Sequence, residues 1–252
     1  MGRNERGGDM KKNTRKFIIY LTLLLGGTSI ETGVVWANES GGKSEAEISY
    51  TENTDATPPK LPTNPEEDVE IVSPIPVDPG TSGPLSVDYA PHVIFGEKEA
   101  SSKDDIYYAK LAEVKKPDDS SIKEVPNFLQ LTDNRGKSAG WRLTIKQNGQ
   151  LRNGAYVLKG AEITLKNVSL ASPSGGAEPT TVQSITLNPD SGEPAEVARS
   201  TEQTGKGTWI IKFGKELKES QKSIQVKVPG KTEKKQGNYT TSLTWELMDA
   251  PI

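Results

Sequence analysis

The chain has 252 residues, of which 33% are hydrophobic and 26% are charged, and its formal net charge at pH 7 is -3. It contains no cysteine and one histidine, His92, which excludes disulfides, thiolate metal sites and cysteine nucleophiles and argues against Ser-His-Asp catalysis. Its 24 glycines and 17 prolines favour turns and strands over long helices.

Residues 1–37 have the pattern of a secretory signal peptide. A basic stretch that includes Lys11 and Lys16 precedes an apolar run over residues 17–25. This run is shorter than the roughly 20 apolar residues that a membrane-spanning helix needs. Val35 and Ala37 place small residues where a signal peptidase cuts, so we expect cleavage after Ala37 and a secreted protein.

Residues 38–84 have the composition of an acidic, proline-rich linker. They hold eight prolines and ten acidic residues against two lysines. A segment with so few large apolar side chains does not bury enough surface to offset the entropy cost of ordering. We therefore predict a disordered linker over 38–84 and a folded domain over 85–252.

The domain consists of short runs of alternating polar and apolar residues bounded by Gly, Asn, Asp or Pro, a pattern typical of strands. Nine segments show it: 93–96, 106–114, 128–133, 141–147, 162–168, 182–187, 207–213, 223–229 and 238–247. The one helical candidate, residues 214–221, is short. These patterns predict an all-β domain of about nine strands, an antiparallel β-sandwich with Greek-key, immunoglobulin-like or jelly-roll-like connections.

Two of the predicted strands contain the same tripeptide pattern, Trp141-Arg142-Leu143 and Trp245-Glu246-Leu247. Alternate residues of a strand face the same side, so each motif presents a Trp and a Leu together. Two interpretations are open. Either the indoles fill the core of the domain, or exposed indole faces stack on sugar rings. The same alternatives hold for Trp209 and Tyr239.

With these motifs and their flanks, the chain resembles the WxL-domain cell-surface proteins of low-GC Gram-positive bacteria. The flanking segments that carry the resemblance are 83–96, 126–150, 158–167, 205–214 and 239–251. The resemblance implies non-covalent attachment to the cell wall, with peptidoglycan as the ligand. It also implies other WxL proteins and a membrane-anchored WxL-interacting protein as partners. Trp141, Leu143, Trp245 and Leu247 are the candidate ligand-binding residues.

The rest of the sequence favours binding over chemistry. We expect no enzymatic activity, no cofactor and no metal, because no paired carboxylates, phosphate-binding glycine loop or complete calcium loop stands in a recognisable setting. The 23 basic and 21 acidic residues of 84–252 nearly balance, which argues against nucleic acid as a partner. Without a lipobox cysteine or a sorting motif after the last strand, we expect retention at the surface to be non-covalent.

Two further alternatives concern the partner. Basic residues near the motifs either meet anionic wall polymers or form solvated strand faces: Arg135, Lys137, Arg142, Lys146, Arg152 and Lys159. The alternative function is an adhesin-like protein that binds host matrix or partner surface proteins, with only indirect contact to the wall.

Overall fold

The computed structural model describes residues 46–137 and 139–249. The predicted signal peptide and its cleavage site lie outside these residues. The described part contains nineteen strands and one four-residue helix, α1 (Leu217–Ser220), which confirms the all-β class and places the helix where the sequence predicted a short one. No helix in the described part is long and apolar enough to span a membrane.

The strands are short, between two and seven residues each. In chain order they are β1 (Lys60–Leu61), β2 (Asn64–Asp68), β3 (Glu70–Val72), β4 (Leu85–Tyr89), β5 (Asp105–Tyr108), β6 (Ala112–Lys115), β7 (Lys123–Val125), β8 (Phe128–Asp133), β9 (Trp141–Gln147), β10 (Arg152–Asn153), β11 (Tyr156–Val157), β12 (Glu162–Lys166), β13 (Val168–Ala171), β14 (Thr180–Thr181), β15 (Ser184–Thr186), β16 (Ala195–Arg199), β17 (Gly207–Phe213), β18 (Ile224–Val228) and β19 (Leu243–Asp249).

Three four-stranded antiparallel sheets form the main body. Their strand orders are β13-β17-β8-β4, β14-β16-β9-β19 and β15-β12-β18-β5. A three-stranded sheet, β3-β6-β7, and two hairpins, β1-β2 and β10-β11, complete the described part. All strand pairs in this part are antiparallel, although only β1-β2, β6-β7 and β10-β11 join strands that follow each other in the chain.

One hydrophobic core is shared by the three four-stranded sheets. Each contributes the apolar side chains of alternate strand positions, such as Leu131 on β8, Leu143 on β9 and Leu165 on β12, which are all completely buried. The tryptophans Trp141 and Trp209 are the largest fully buried side chains. Alternation of residue type along each strand therefore decides which face turns inward.

The sheet that contains β8 and β17 is buried on both faces. All six residues of β8 are buried, and so are Trp209 to Phe213 on β17. One face meets the shared core. The other carries Phe128 and Ile210, which form a second cluster with Leu61, Val69 and Val125.

The second face is covered by residues 58–72, which we call the cover segment. Gln130, which is completely buried, makes three hydrogen bonds, two of which tie this segment to β8 and one of which reaches Asp88 on β4. Its amide nitrogen donates to the carbonyl oxygen of Pro58 at 3.0 Å and to the Asp88 carboxylate at 3.0 Å. Its side-chain oxygen accepts the Lys60 N–H at 2.8 Å.

The cover segment corrects the prediction of disorder for this part of 38–84. It forms β1, β2 and β3, and Leu61 and Val69 are 4% exposed. The segment is ordered despite its composition because a few apolar side chains, placed against an already apolar sheet face, bury enough surface to order a short segment.

Two strand predictions also need correction. Residues 93–96 form no strand, and residues 106–114 contribute to two strands, β5 and β6, in different sheets. The break falls at Lys110, whose N–H donates to the Ile94 carbonyl and whose carbonyl accepts from Asn127. The count of about nine strands is too low for three reasons. The segments 106–114 and 162–168 each contribute to two strands, the cover segment adds three, and six strands lie outside every predicted segment: β4, β7, β10, β11, β14 and β16. The sandwich arrangement stays a prediction.

Candidate functional site

The two W-x-L motifs lie side by side on neighbouring strands. β9 carries the first and β19 the second, and the strands pair antiparallel over seven residues. Leu143 lies opposite Leu247, and the register then sets Trp245 opposite Ile145 and Trp141 opposite Asp249. Motifs a hundred residues apart in sequence thus form one structural unit, with the leucines at its centre and the tryptophans towards its two ends.

The first motif belongs to the core. Trp141 and Leu143 are both 0% exposed. The Trp141 backbone N–H donates to the Ser200 hydroxyl at 2.8 Å, and its indole N–H donates to the Gly205 carbonyl at 2.9 Å. The indole has no face open to a sugar ring in this structure.

The second motif retains exposed surface. Trp245 and Leu247 are half-buried and pack against the edge of the core, where Trp245 lies 6.2 Å from the Phe213 ring at an interplanar angle of 43°. Glu246 between them is exposed. Of the four candidate ligand-binding residues, these two are the ones that a ligand reaches without a change in the fold.

Trp209 and Tyr239 also pack against the core. Trp209 is 2% exposed, and its indole N–H donates to the Lys206 carbonyl at 3.0 Å. Tyr239 is half-buried, and its hydroxyl accepts the Lys235 backbone N–H at 2.9 Å. The two buried indoles, Trp141 and Trp209, therefore hold consecutive carbonyls of one loop, at Gly205 and Lys206.

Arg135 links the two motif strands to the end of β8. Its guanidinium donates to both carboxylate oxygens of Asp133 at 2.8 Å and to the Ala139 carbonyl at 2.9 Å. It also lies 2.7 Å from the Asp249 carboxylate at the end of β19. The side chains of Arg135 and Asp133 are 4% and 3% exposed, so this is a buried ion pair with a partner at the surface.

The charged residues of this group change one another's pKa. The hydrogen bonds that Arg135 donates to the Asp133 carboxylate raise the pKa of Arg135, and Arg135 lowers the pKa of Asp249. Lys137, 3.3 Å from the other oxygen of Asp249, lowers that pKa further. Asp249 is therefore ionised at neutral pH, and its ion pair with Arg135 joins the residues after β8 to the end of β19.

The other basic residues near the motifs are at the surface. Arg142 pairs with Glu196 at 2.9 Å, on the strand face opposite Trp141. Lys146 is half-buried, and Arg152 and Lys159 are exposed. Arg135 differs from all of them because its guanidinium is buried and forms an ion pair with the buried Asp133 carboxylate.

A polar cleft of about 330 Å³ opens beside the Arg135 group. Its lining residues are polar or small: Thr51, Asn53, Asp133, Asn134, Gly136, Lys137 and Lys206. The Asn53 N–H approaches the Asn134 carbonyl at 3.4 Å, which brings the chain before the cover segment to the edge of the cleft. Sequence reasoning did not find this cleft, because its walls come from three distant segments of the chain.

His92, Asp104 and Asp119 have hydrogen-bond partners within the protein. His92 Nε2 lies 3.0 Å from the Pro76 carbonyl oxygen. Asp104 accepts the Gly230 N–H at 2.7 Å, and Asp119 accepts the Ser121 N–H at 2.8 Å. Within 46–137 and 139–249, no group of three or more His, Asp or Glu side chains is placed to hold a metal ion.

Comparison with known proteins gives one result. No curated protein and no solved structure matches the chain. One family model matches residues 37–251; it is described as "WxL domain surface cell wall-binding". This confirms the resemblance drawn from the sequence, and the match extends over the cover segment as well as the predicted domain. Both W-x-L motifs are present, and the family model matches nearly the whole chain. The chain therefore belongs to the WxL domain family of surface, cell wall-binding proteins.

Proposed function

We propose that the protein is exported and held non-covalently on the cell wall, where its WxL domain binds peptidoglycan. The observation that carries the proposal is the family match over residues 37–251. It is supported by residues 1–37, in which a basic stretch precedes an apolar run as in a secretory signal peptide. The domain acts by binding, without catalysis, within a surface complex that includes other WxL proteins and a membrane-anchored WxL-interacting protein.

Trp245 and Leu247 are the motif residues proposed to contact the wall. Both have exposed surface and lie on β19, an edge strand of its sheet. An amphipathic aromatic ring at such an edge packs on the apolar face of a sugar ring. Trp141 and Leu143 support this strand from the core.

The test is sedimentation of the purified protein with protein-free peptidoglycan sacculi. We expect saturable binding by the wild type. Trp245→Ala should remain folded by circular dichroism and bind more weakly, because only a half-buried side chain is removed. Tyr156→Ala is the matched control, since Tyr156 is an aromatic residue, 48% exposed, on the β10-β11 hairpin. It should bind like the wild type.

Two results would contradict the proposal. If the wild type does not sediment with bare sacculi, wall contact is indirect, and the adhesin-like alternative predicts saturable binding to a matrix or surface protein instead. If Trp245→Ala and Tyr156→Ala both bind like the wild type, the second motif is not a contact. Trp141→Ala is expected to unfold, because truncating a buried Trp costs about 3–5 kcal/mol, and so reports only on stability.

A further inference from the structure

The strand β5 lies at the edge of its sheet and displays two exposed apolar side chains. It is the outer strand of the sheet β15-β12-β18-β5, and its residues alternate between half-buried and exposed. Ile106 is 49% exposed and Tyr108 is 37% exposed, whereas Tyr107 between them packs against the shared core. An edge strand that displays apolar side chains is a template for the addition of another strand.

The backbone groups of the same two residues point away from the sheet. The Ala109 N–H donates to the Ile224 carbonyl, so in the antiparallel ladder Tyr107 also faces β18, while Ile106 and Tyr108 face outward. Within the part of the chain that the structure describes, the outward N–H and C=O groups of Ile106 and Tyr108 have no hydrogen-bond partner. This edge therefore offers two donors and two acceptors to a further strand.

Residues 48–52, which we call the arm, have the pattern of a strand but no strand partner. Their sequence, Ile-Ser-Tyr-Thr-Glu, alternates apolar and polar side chains and contains no proline. In the structure they form no strand, and Ile48 and Tyr50 are 74% and 85% exposed, more than any other large apolar side chain in the described part. The arm thus displays an isoleucine and a tyrosine two positions apart, as β5 does.

The arm is held away from β5 of its own chain. Directly after the arm, the Asn53 N–H donates to the Asn134 carbonyl, just beyond the end of β8. β5 lies towards the other end of β8, where the Asn127 side chain donates to the Lys110 carbonyl. The strand from 127 to 134 spans about 23 Å, whereas Tyr50, three residues before Asn53, lies within about 10 Å of it. The arm that reaches β5 must therefore come from a second copy of the chain.

We propose that the arm of one copy adds as an antiparallel strand to β5 of a second copy. With Tyr50 opposite Ile106, Ile48 lies opposite Tyr108, and all four side chains share the outer face of the sheet. Aromatic and β-branched side chains that face each other across two strands are favourable pairs. Because the contact joins two different surfaces, copies associate head to tail or by mutual exchange of arms.

The pairing is weak in solution. It joins residues 48–52 to a strand of four residues, which is well below the interface size of stable dimers. The arm therefore stays open to proteases when the protein is dilute. Copies held side by side on one surface meet at a much higher effective concentration, which favours the pairing.

The first experiment measures self-association by sedimentation equilibrium at protein concentrations up to about 1 mM. Each of three variants replaces one isoleucine and one tyrosine by serine: Ile48→Ser/Tyr50→Ser in the arm, Ile106→Ser/Tyr108→Ser on β5, and the matched control Ile122→Ser/Tyr156→Ser, whose side chains are 58% and 48% exposed. The control should associate like the wild type. The arm and β5 variants should each raise the dissociation constant at least about tenfold. An equimolar mixture of these two should recover a 1:1 dimer, because one has an intact edge and the other an intact arm.

Three results of this experiment would overturn the inference. They are a wild type that stays monomeric at about 1 mM, a control that weakens association as much as the arm variant does, and a mixture that fails to recover the dimer. Circular dichroism checks that each variant is folded. If the β5 variant does not fold, the comparison of the arm variant with the control still decides, since the arm lies outside the core.

The second experiment uses the absence of cysteine from the chain. Tyr50→Cys is mixed with Ile106→Cys under mild oxidation, and separately with Ile122→Cys as the control. The first mixture should form a disulfide-linked dimer faster than the control mixture, and equal rates would contradict the proposed contact. The double variant Tyr50→Cys/Ile106→Cys should form disulfides at a rate that rises with concentration. A rate independent of concentration would place the arm on β5 of its own chain and overturn the inference.

Discussion

At the scale of single residues, Gly205 shows how closely the loop after β16 approaches the first motif. Its φ of +72° lies in the left-handed region that glycine adopts without cost. A Cβ there would lie 2.5 Å from the Ser200 Cβ and 3.0 Å from the Trp141 ring. Backbone conformation and space therefore both demand glycine at this position.

We predict that Gly205→Ala lowers the free energy of unfolding by about 2–4 kcal/mol, the sum of about 1 kcal/mol for the left-handed backbone and the rest for overpacking. The matched control is Gly154→Ala, where φ is +57° and no atom lies within 4 Å of the added Cβ. Its free energy of unfolding should fall only by the backbone contribution, about 1 kcal/mol. Urea denaturation followed by Trp fluorescence measures both, and equal losses would mean that the loop moves aside without cost.

Asp249 provides a prediction about acid. Arg135 and Lys137 lower its pKa below the usual value of about 3.9, so the folded state holds this proton less tightly than the unfolded state. The resulting stabilisation is fully present above the unfolded pKa and is lost as the pH falls through the lowered folded pKa. Asp249→Asn removes that dependence. Between about pH 5 and pH 2, urea denaturation should show stability falling more steeply in the wild type than in Asp249→Asn, whereas parallel curves would contradict the prediction.

At the scale of elements, the strands that the sequence predicted best are those with the strongest apolar signal. β8, β9 and β17 have the predicted bounds, 128–133, 141–147 and 207–213. In β8 and β17, however, apolar residues such as Phe128 and Ile210 also stand at positions that face away from the shared core. A strand that is apolar on both faces indicates a sheet that is covered on both sides. These residues therefore could have predicted that a second layer covers the sheet.

The cover segment was not predicted because only a few apolar residues distinguish it from the rest of the predicted linker. Averaged over 38–84, acidic residues and prolines dominate the composition. The two most buried apolar side chains of the segment, Leu61 and Val69, have seven residues between them that show no alternation of polar and apolar types. Their partners lie on β7, β8 and β17, far along the chain. The side-by-side pairing of the motif strands could not be predicted from the sequence either, because the register of strands a hundred residues apart is set by packing and not by any local turn.

We expect Leu61→Ala to destabilise the protein by about 2–4 kcal/mol, because it leaves a cavity against Phe128 and Ile210 in the second cluster. Ile75→Ala is the control from the same predicted linker, with a side chain that is 45% exposed. It should change stability by less than about 0.5 kcal/mol. Thermal or urea unfolding compares the two, and equal effects would place residue 61 outside the folded unit.

At the scale of the whole molecule, the folded unit starts before the predicted domain boundary at residue 85. Residues 46–56 are exposed and without strands, whereas the backbone from Lys60 to Val72 is largely paired. Limited digestion with a glutamate-specific protease should therefore cut after Glu52 long before it cuts after Glu66, Glu67 or Glu70. Mass spectrometry of the resistant fragment checks this, and a first stable fragment that begins after residue 70 would show that the cover segment opens readily.

The pairing of β9 with β19 has a consequence for synthesis. A chain that emerges N-terminus first exposes β9 with one edge unpaired until residues 243–249 appear, and Arg135 lacks its Asp249 partner over the same interval. Contacts of such large sequence separation form late and slowly. A chain that stops before residue 243 therefore leaves β9 as the edge strand of its sheet and lacks the Asp249 carboxylate that contacts Arg135 and Lys137.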